Sequence, residues 1–197
     1  MKLNSFKEIA KNYKVIFFDS YGVLKNYNGL INGVQHVFDD LRAAEMEYYI
    51  LTNDASRSPS LLIEGFKKLG LNDMEEKRMI TSGMMAKEYL RYKVSTGKIA
   101  YMGPRQSEYY IESLGLEPIH LFDLDKHEPE EIRAFLFLDD EGFDWFTMIN
   151  QTINLLRRNN IPAIVANSDI VYPISREEVS VAIGGLAILI SHIVQSR

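Results

Sequence analysis

Two short groups of polar residues follow predicted strands and carry side chains that can do chemistry. Asp19 places a carboxylate at the end of the apolar run 14–18, and a carboxylate in such a position can act as a nucleophile. Gly22 allows the chain to turn sharply after it. Thr52 and Asn53 add a hydroxyl and an amide at the end of the run 47–51. Whether these side chains lie close together in the folded protein depends on the arrangement of the strands and helices that carry them.

The spacing of apolar residues predicts that strands and helices alternate along the chain. Predicted strands span 14–18, 47–51, 98–102, 134–138 and 162–166. Predicted helices span 5–11, 33–45, 60–69, 83–92, 107–114 and 143–158, with one more after Gly184-Gly185, while 123–131 is predicted to be a loop. This alternation predicts an α/β fold with parallel, Rossmann-like sheets. Ligands of such sheets bind beyond the carboxyl ends of the strands, where Asp19, Thr52 and Asn53 are expected to lie.

The composition argues against several classes of protein. The net charge is -5 and the basic residues are scattered, which disfavours nucleic acid as a partner. Without cysteine there is no disulfide or thiolate site, which suits a reducing compartment. The most apolar segment, 179–194, is shorter than the ~20 residues that a membrane span requires. We therefore expect a cytoplasmic protein that binds neither nucleic acid nor membrane.

Two motifs and three further segments of the sequence resemble those of a known family. Asp-x-x-Gly-Val-Leu at 19–24, followed by Thr-Asn at 52–53, resembles motifs I and II of the haloacid dehalogenase superfamily. Segments 52–58, 140–146 and 166–173 resemble its class IIA, whose C2-type cap is found in sugar-phosphate, nucleotide and pyridoxal-phosphate phosphatases. The resemblance implies the N-terminal half of a Rossmann-like core at 1–79, an inserted α/β cap at 80–182 and a helix returning to the core at 183–197.

The resemblance also implies roles for the residues of motifs I and II. Asp19 would be the nucleophile and a ligand of Mg²⁺, with the backbone carbonyl of Tyr21 as a second ligand. Thr52 would bind the transferring phosphoryl group, with Asn53 beside it. A carboxylate nucleophile divides phosphoryl transfer into two easier steps, and the metal offsets charge on nucleophile and substrate.

Four further residues are candidates for binding substrate or phosphate. Ser56 and Arg57 follow motif II, although Arg57 could equally begin the next helix. Asp144 and Asp169 belong to the segments that resemble the cap, with helix capping and Asx-turns as the alternative roles. Asp139-Asp140 is expected to be a pair of solvated loop acids, because no third acid lies at a suitable spacing.

The sequence departs from the family in two places. The family's phosphatases carry a second Asp as general acid where this chain has Tyr21, and phenols ordinarily titrate near pKa ~10, which predicts slow phosphatase turnover. The family's motif III lysine and motif IV acidic pair follow the cap, whereas this sequence ends at Arg197. We therefore expect weak metal binding and little turnover from these 197 residues alone, and a working hydrolase in a longer parent protein.

The leading prediction is a phosphatase-like hydrolase that uses Mg²⁺ and acts on a small phosphorylated metabolite, for which a sugar phosphate is one candidate. A non-catalytic binding or regulatory module with a degenerate site is the first alternative. A 2-haloacid dehalogenase is the second, because Asp-x-Tyr also occurs in the dehalogenases of the superfamily. A half core exposes apolar strand edges, which predicts homodimerisation or binding of a partner.

Overall fold

The computed structural model describes residues 6–196, and their contacts divide the chain into two compact units. Unit 1 contains the described residues up to Thr52 together with Pro59–Ile80. Unit 2 contains Asn53–Ser58 together with residues 81–196. The short segment 53–58 thus groups with unit 2, although the residues on both sides of it belong to unit 1.

Unit 1 is built on a three-stranded sheet in the order β1-β4-β5. Its elements, in chain order, are α1 (Phe6–Ala10), β1 (Val15–Asp19), β2 (Lys25–Asn26), β3 (Gly29–Leu30), α2 (Val34–Ala43), β4 (Glu47–Thr52), α3 (Pro59–Lys68) and β5 (Met79–Thr81), whose last residue groups with unit 2. Strands β1 and β4 are parallel, and β2 and β3 form a short antiparallel hairpin.

The two faces of the β1–β4 pair differ because successive side chains of a strand point in opposite directions. Phe18 and Ile50 are buried in a cluster with apolar side chains of α2 and α3. Phe17 and Leu51, on the other face, are 55% and 41% exposed, and the Phe17 ring stacks on Tyr49 with centroids 5.6 Å apart. Unit 1 therefore packs one sheet face against helices and leaves apolar side chains exposed on the other.

Unit 2 is built on a four-stranded parallel sheet in the order β7-β6-β8-β9. Its elements are α4 (Ser82–Lys93), β6 (Lys98–Met102), α5 (Tyr109–Glu112), β7 (Glu117–His120), β8 (Ile132–Phe137), α6 (Trp145–Arg158), β9 (Ala163–Val165), β10 (Val171–Pro173), β11 (Val179–Val181) and α7 (Ile183–Gln195). Strands β10 and β11 form an antiparallel hairpin.

Both faces of the unit 2 sheet are packed. On one face Phe135 and Phe137 join a buried cluster with residues of α6 and α7, and on the other Tyr101 and Leu136 join a cluster with residues of α4 and α5. A parallel sheet buried on both faces reads in sequence as continuous apolar strands, which is the pattern of β6 and β8. The predicted α/β fold with parallel sheets is confirmed.

Several element predictions need correction. Strands β5 and β7 and the two hairpins were not predicted. The predicted loop 123–131 instead contains short 3-10 helices at Leu121–Lys126 and Pro129–Glu131. Helix α7 begins before the glycine pair instead of after it, and it groups with unit 2. Ser5 of the predicted leading helix lies outside the described residues. The boundaries of the predicted half core and cap stay a prediction.

Within residues 6–196, none of the helices combines the length and apolar character that crossing a bilayer would need.

Candidate functional site

Asp19 is the last residue of β1, and its side chain is exposed. One carboxylate oxygen accepts a hydrogen bond from the backbone N–H of Ser20 at 2.7 Å. The chain then turns back, because the Leu24 N–H donates to the Ser20 carbonyl at 2.9 Å and Gly22 adopts φ +85°. Leu24 is 1% exposed and anchors this turn in the unit 1 core. The turn therefore leaves the Asp19 carboxylate accessible at the carboxyl end of the strand.

Thr52 is the last residue of β4 and is half-buried. Asp19 lies opposite Leu51 in the parallel ladder, so Thr52 follows one residue beyond Asp19 at the same end of the sheet. Unit 1 thus brings Asp19, Tyr21 and Thr52 to one edge, as the two sequence motifs predict. A carboxylate nucleophile and a hydroxyl donor are the groups that an anionic electrophile requires at such an edge.

The end of β1 carries oxygen atoms of the kind that bind Mg²⁺. This cation prefers oxygen ligands and commonly takes one or two carboxylates together with waters and substrate phosphates. The exposed carboxylate of Asp19 and the backbone carbonyl of Tyr21 are donors of this kind. No group of three or more histidine or acidic side chains with metal-binding geometry occurs in the part of the chain that the structure describes. The Asp19 carboxylate and the Tyr21 carbonyl therefore fit a Mg²⁺ site whose remaining ligands would be water molecules and substrate oxygens.

Asn53, Ser56 and Arg57 lie in the loop that groups with unit 2. The Asp54 carboxylate accepts hydrogen bonds from the backbone N–H of Ser56 at 2.9 Å and from its hydroxyl at 2.6 Å. Arg57 Nε donates to Ser56 Oγ at 3.0 Å. Ser56 is buried and Arg57 is exposed. The Arg57 side chain is therefore accessible to solvent, whereas the Ser56 hydroxyl is hydrogen-bonded within the loop.

The two aspartates predicted from the cap segments are placed differently. Asp144 is the N-cap of α6, where its carboxylate accepts from the Thr147 N–H at 3.0 Å. Hydrogen bonds from the Thr147 side chain and backbone hold the pKa of Asp144 below its ordinary value. Asp169 instead accepts a hydrogen bond from Asn53 Nδ2 at 2.9 Å. The structure thus joins Asp169 to a motif II residue and gives Asp144 the capping role, while their predicted contacts with substrate stay predictions.

Asp139 and Asp140 differ from the solvated loop acids that we expected. Asp139 follows the central strand β8, and desolvation by burial, together with the neighbouring Asp140 carboxylate, raises its pKa to about 7. Its carboxylate accepts from the Glu141 N–H at 3.1 Å, and Asp140 accepts from the Tyr172 hydroxyl at 3.1 Å. The available sequence signal was their position directly after an apolar strand, where ligands and perturbed acids of α/β sheets occur.

A cavity of about 520 Å³ opens in unit 1 beside Glu47 and Tyr48, at the amino end of β4. Thr52 lies at the opposite end of the same strand, so this cavity does not belong to the candidate site. The candidate site is therefore defined by side chains at the carboxyl edge of the sheet and not by this cavity.

Comparison with known proteins gives one family match. Residues 16–117 match the model of the haloacid dehalogenase-like hydrolases, which covers more than half of the chain. Over 112 residues the chain is 28% identical to glycerol-3-phosphate phosphatase from Gallus gallus. That match includes 56% of this chain and 36% of the chicken protein, so the aligned part spans about one third of that relative.

Solved structures show the same similarity in three dimensions. A possible sugar phosphatase of the haloacid dehalogenase superfamily from Cytophaga hutchinsonii is 46% identical, with a TM-score of 0.90. The alignment covers 100% of this chain and 69% of that one. A glycerol phosphate phosphatase from Mycobacterium tuberculosis in complex with magnesium is 16% identical, with a TM-score of 0.74, over 94% of this chain and 53% of that one. At this lower identity the likeness shows the fold alone.

Proposed function

This chain belongs to the haloacid dehalogenase-like hydrolases of class IIA, and we propose that it takes part in hydrolysis of a small phosphorylated metabolite through Asp19. The observation that carries this proposal is the exposed Asp19 carboxylate at the carboxyl end of β1, beside the strand that ends in Thr52. A nucleophile must be accessible to its electrophile, and a carboxylate packed into the core would have excluded the reaction.

The proposed reaction has two steps. In the first, an Asp19 carboxylate oxygen attacks phosphorus, the bond from phosphorus to the leaving oxygen breaks, and that oxygen leaves with the electron pair and takes up a proton. In the second, water attacks the aspartyl-phosphate, the acyl phosphate bond breaks, and inorganic phosphate and the Asp19 carboxylate are released. The Thr52 hydroxyl and the Asn53 amide would bind phosphoryl oxygens during both steps.

Mg²⁺ is the proposed cofactor, with Asp19 and the Tyr21 carbonyl as its protein ligands. When bound, it would offset the negative charges of the nucleophile and the phosphoryl group, which otherwise repel each other. The oxygen donors at the end of β1 support this choice.

Proton supply distinguishes this chain from an ordinary phosphatase site. Tyr21 stands two residues after the nucleophile, and its side chain is 38% exposed. A phenol is a much weaker acid than the carboxyl group that the family's phosphatases carry at this position, so it is a poor general acid for the leaving oxygen. We therefore propose slow hydrolysis of ordinary alkyl phosphates and faster hydrolysis of aryl phosphates, whose leaving group needs less help from an acid.

The proposed substrate class is a small phosphorylated metabolite, with a sugar phosphate or glycerol phosphate as the first candidates. The supporting relatives are the Cytophaga hutchinsonii protein and the chicken glycerol-3-phosphate phosphatase. Homodimerisation and a cytoplasmic location stay predictions, which sedimentation velocity and cell fractionation would check.

The function is tested by measuring phosphate release from 4-nitrophenyl phosphate with and without Mg²⁺. We expect slow phosphate release that depends on Mg²⁺ and is abolished in Asp19→Asn, whereas the surface variant Asp39→Asn keeps it. Phosphate release that persists in Asp19→Asn would contradict the proposal. Specific binding of phosphate without turnover would instead favour the non-catalytic module.

Dehalogenation at carbon is the second candidate, and Tyr21 is the observation that favours it. A halide leaves without taking up a proton, so this reaction does not need the general acid that Tyr21 replaces. Asp19 would attack carbon, the carbon–halogen bond would break, and water would hydrolyse the resulting ester. Chloride release from a short 2-chloro acid, in the absence of phosphate release, would establish this alternative.

A further inference from the structure

The loop 53–58 carries three predicted site residues, and unit 2 holds it at both ends. At its start, Asn53 Nδ2 donates to Asp169 Oδ2 at 2.9 Å, and Ser82 Oγ donates to the Asn53 carbonyl at 2.8 Å. Both the side chain and the backbone of Asn53 are therefore engaged. The chain passes from unit 1 to unit 2 between Thr52 and this residue.

The remainder of the loop is fixed by burial and by a tyrosine. Ala55 is 0% exposed and belongs to the same buried cluster as Leu90 and Tyr110. The Tyr110 hydroxyl donates to the Arg57 carbonyl at 2.8 Å. A packed methyl group and a partly buried hydrogen bond resist displacement, so the loop that begins at Asn53 is firmly attached along the rest of its length.

Asp169 is itself held in a defined position. Its backbone N–H donates to Asn167 Oδ1 at 2.9 Å, which forms an Asx-type turn. The first turn of α7 packs directly on this segment, because a Cβ at Gly184 would lie 2.5 Å from the Ser168 carbonyl carbon and 2.6 Å from the Asp169 carbonyl oxygen. Glycine is the residue that permits this approach. The carboxylate therefore projects from a constrained backbone toward Asn53.

The chemistry of the contact sets the orientation of the Asn53 amide. An ionised carboxylate accepts hydrogen bonds and donates none, so the nitrogen of the amide, and not its oxygen, must face Asp169. A hydrogen bond to a charged acceptor is also stronger than one between neutral groups, which matters because this contact is exposed to solvent.

We propose that Asp169 is a positioning residue, which holds Asn53 and the start of the loop 53–58 in place instead of contacting substrate. The proposal rests on the proposed function only for its catalytic consequence, since the anchoring itself is a property of the folded chain. It also replaces the role in substrate binding that the sequence predicts for Asp169. Loss of the anchor would let the Asn53 amide rotate away from its working orientation without removing a group that touches substrate.

The anchor is tested by hydrogen exchange, measured by mass spectrometry on peptides that cover residues 53–58. We expect faster exchange in Asp169→Ala and exchange near that of the parent protein in Asp169→Asn, whose side-chain oxygen still accepts from Asn53. Asp125→Ala is the matched control, because it removes an exposed acid of unit 2 and should leave this loop unchanged. Unchanged exchange in Asp169→Ala would overturn the proposal.

Kinetics then separates positioning from substrate binding. With 4-nitrophenyl phosphate and Mg²⁺, Asp169→Ala should lower kcat about tenfold with little change in KM, and Asp169→Asn should restore most of it. A rise in KM with unchanged kcat that Asp169→Asn fails to correct would show substrate contact and overturn the proposal. If the parent protein has no turnover, the proposed function fails, while hydrogen exchange still decides whether Asp169 anchors the loop.

Discussion

Asp19 lies opposite Leu51 in the parallel ladder between β1 and β4. The pairing places the first residue of motif I beside the residue that precedes motif II, although 31 residues lie between Asp19 and Leu51 in the sequence. Parallel strands end at the same edge of a sheet, so the Asp19 carboxylate and the hydroxyl of Thr52 reach that edge without any special loop conformation. The fold of unit 1 is thus sufficient to assemble the first part of the candidate site.

Tyr21 is expected to limit the rate of phosphate ester hydrolysis. Tyr21→Asp supplies a carboxyl group at the position where the family's phosphatases carry their general acid, and general acid catalysis typically contributes ~10²–10⁴-fold. We expect kcat for an alkyl phosphate to rise by about 10²-fold or more in Tyr21→Asp and to stay unchanged in Tyr21→Phe. Steady-state assays with Mg²⁺ check this, and an unchanged kcat in Tyr21→Asp would show that another group supplies the proton.

Gly83 is expected to be essential for packing in unit 2. A Cβ at this position would lie 2.3 Å from Cζ of the fully buried Tyr110. We expect Gly83→Ala to destabilise the fold by about 1–3 kcal/mol through overpacking. The matched change Gly65→Ala in α3 meets nothing within 4 Å and should stabilise it by about 0.5–1 kcal/mol, since alanine favours helix. Urea unfolding measures both, and equal effects of the two substitutions would contradict the steric explanation.

Glu45 is the one non-glycine residue with positive φ among residues 6–196, at φ +50°. It ends α2 in a Schellman-type arrangement, where the Met46 N–H donates to the Leu41 carbonyl at 2.9 Å. Glycine adopts this conformation without steric cost, so Glu45→Gly should stabilise the protein by about 0.5–1 kcal/mol. Ala44, at φ -91°, provides the control, because Ala44→Gly should bring no gain. Thermal and urea unfolding would detect the difference, and destabilisation by Glu45→Gly would contradict it.

Asp139 is expected to make stability depend on pH near neutrality. Burial and the Asp140 carboxylate raise its pKa to about 7, so the folded protein favours the protonated form. Its stabilising contribution is full below the unfolded-state pKa of ~3.9 and is lost as pH rises through about 7. Asp139→Asn cannot ionise, so the free energy of unfolding of this variant relative to the parent protein should rise across this range, by up to about 4 kcal/mol, and then level off.

Urea unfolding at several pH values between about 4 and 8 measures the effect of Asp139→Asn. Asp125→Asn, at an exposed position of the same unit, is the control and should differ from the parent by the same amount at every pH. A constant difference for Asp139→Asn as well would show that its carboxyl group is solvated.

Long apolar runs were the most informative part of the sequence. They located β1, β4, β6 and β8 within one or two residues, because strands buried between layers require continuous apolar side chains. Strand β7 was missed because its four residues include Pro118 and two polar side chains, and it is defined by pairing with β6. Such short edge strands depend on tertiary contacts that local sequence does not encode.

The candidate site was predictable only in part for the same reason. Asp19 and Thr52 follow strands whose pattern is local, so their shared edge could be inferred. The grouping of residues 53–58 with unit 2 depends on the burial of Ala55 and on the hydroxyl of Tyr110, which are distant in sequence. The glycine pair was predicted to precede a helix, yet Gly184 lies inside α7. Glycine is required there because the backbone at Ser168 lies too close to leave room for a side chain, a contact that local sequence does not reveal.

Asp19 is proposed to form a covalent bond with the phosphoryl group, and trapping of this adduct provides a direct test. The protein is incubated with Mg²⁺ and 4-nitrophenyl phosphate, quenched in acid and mapped by peptide mass spectrometry. We predict the added mass of one phosphoryl group on the peptide that contains Asp19, released by hydroxylamine and absent in Asp19→Asn. Turnover without this adduct, or with the phosphoryl group on another residue, would contradict the account.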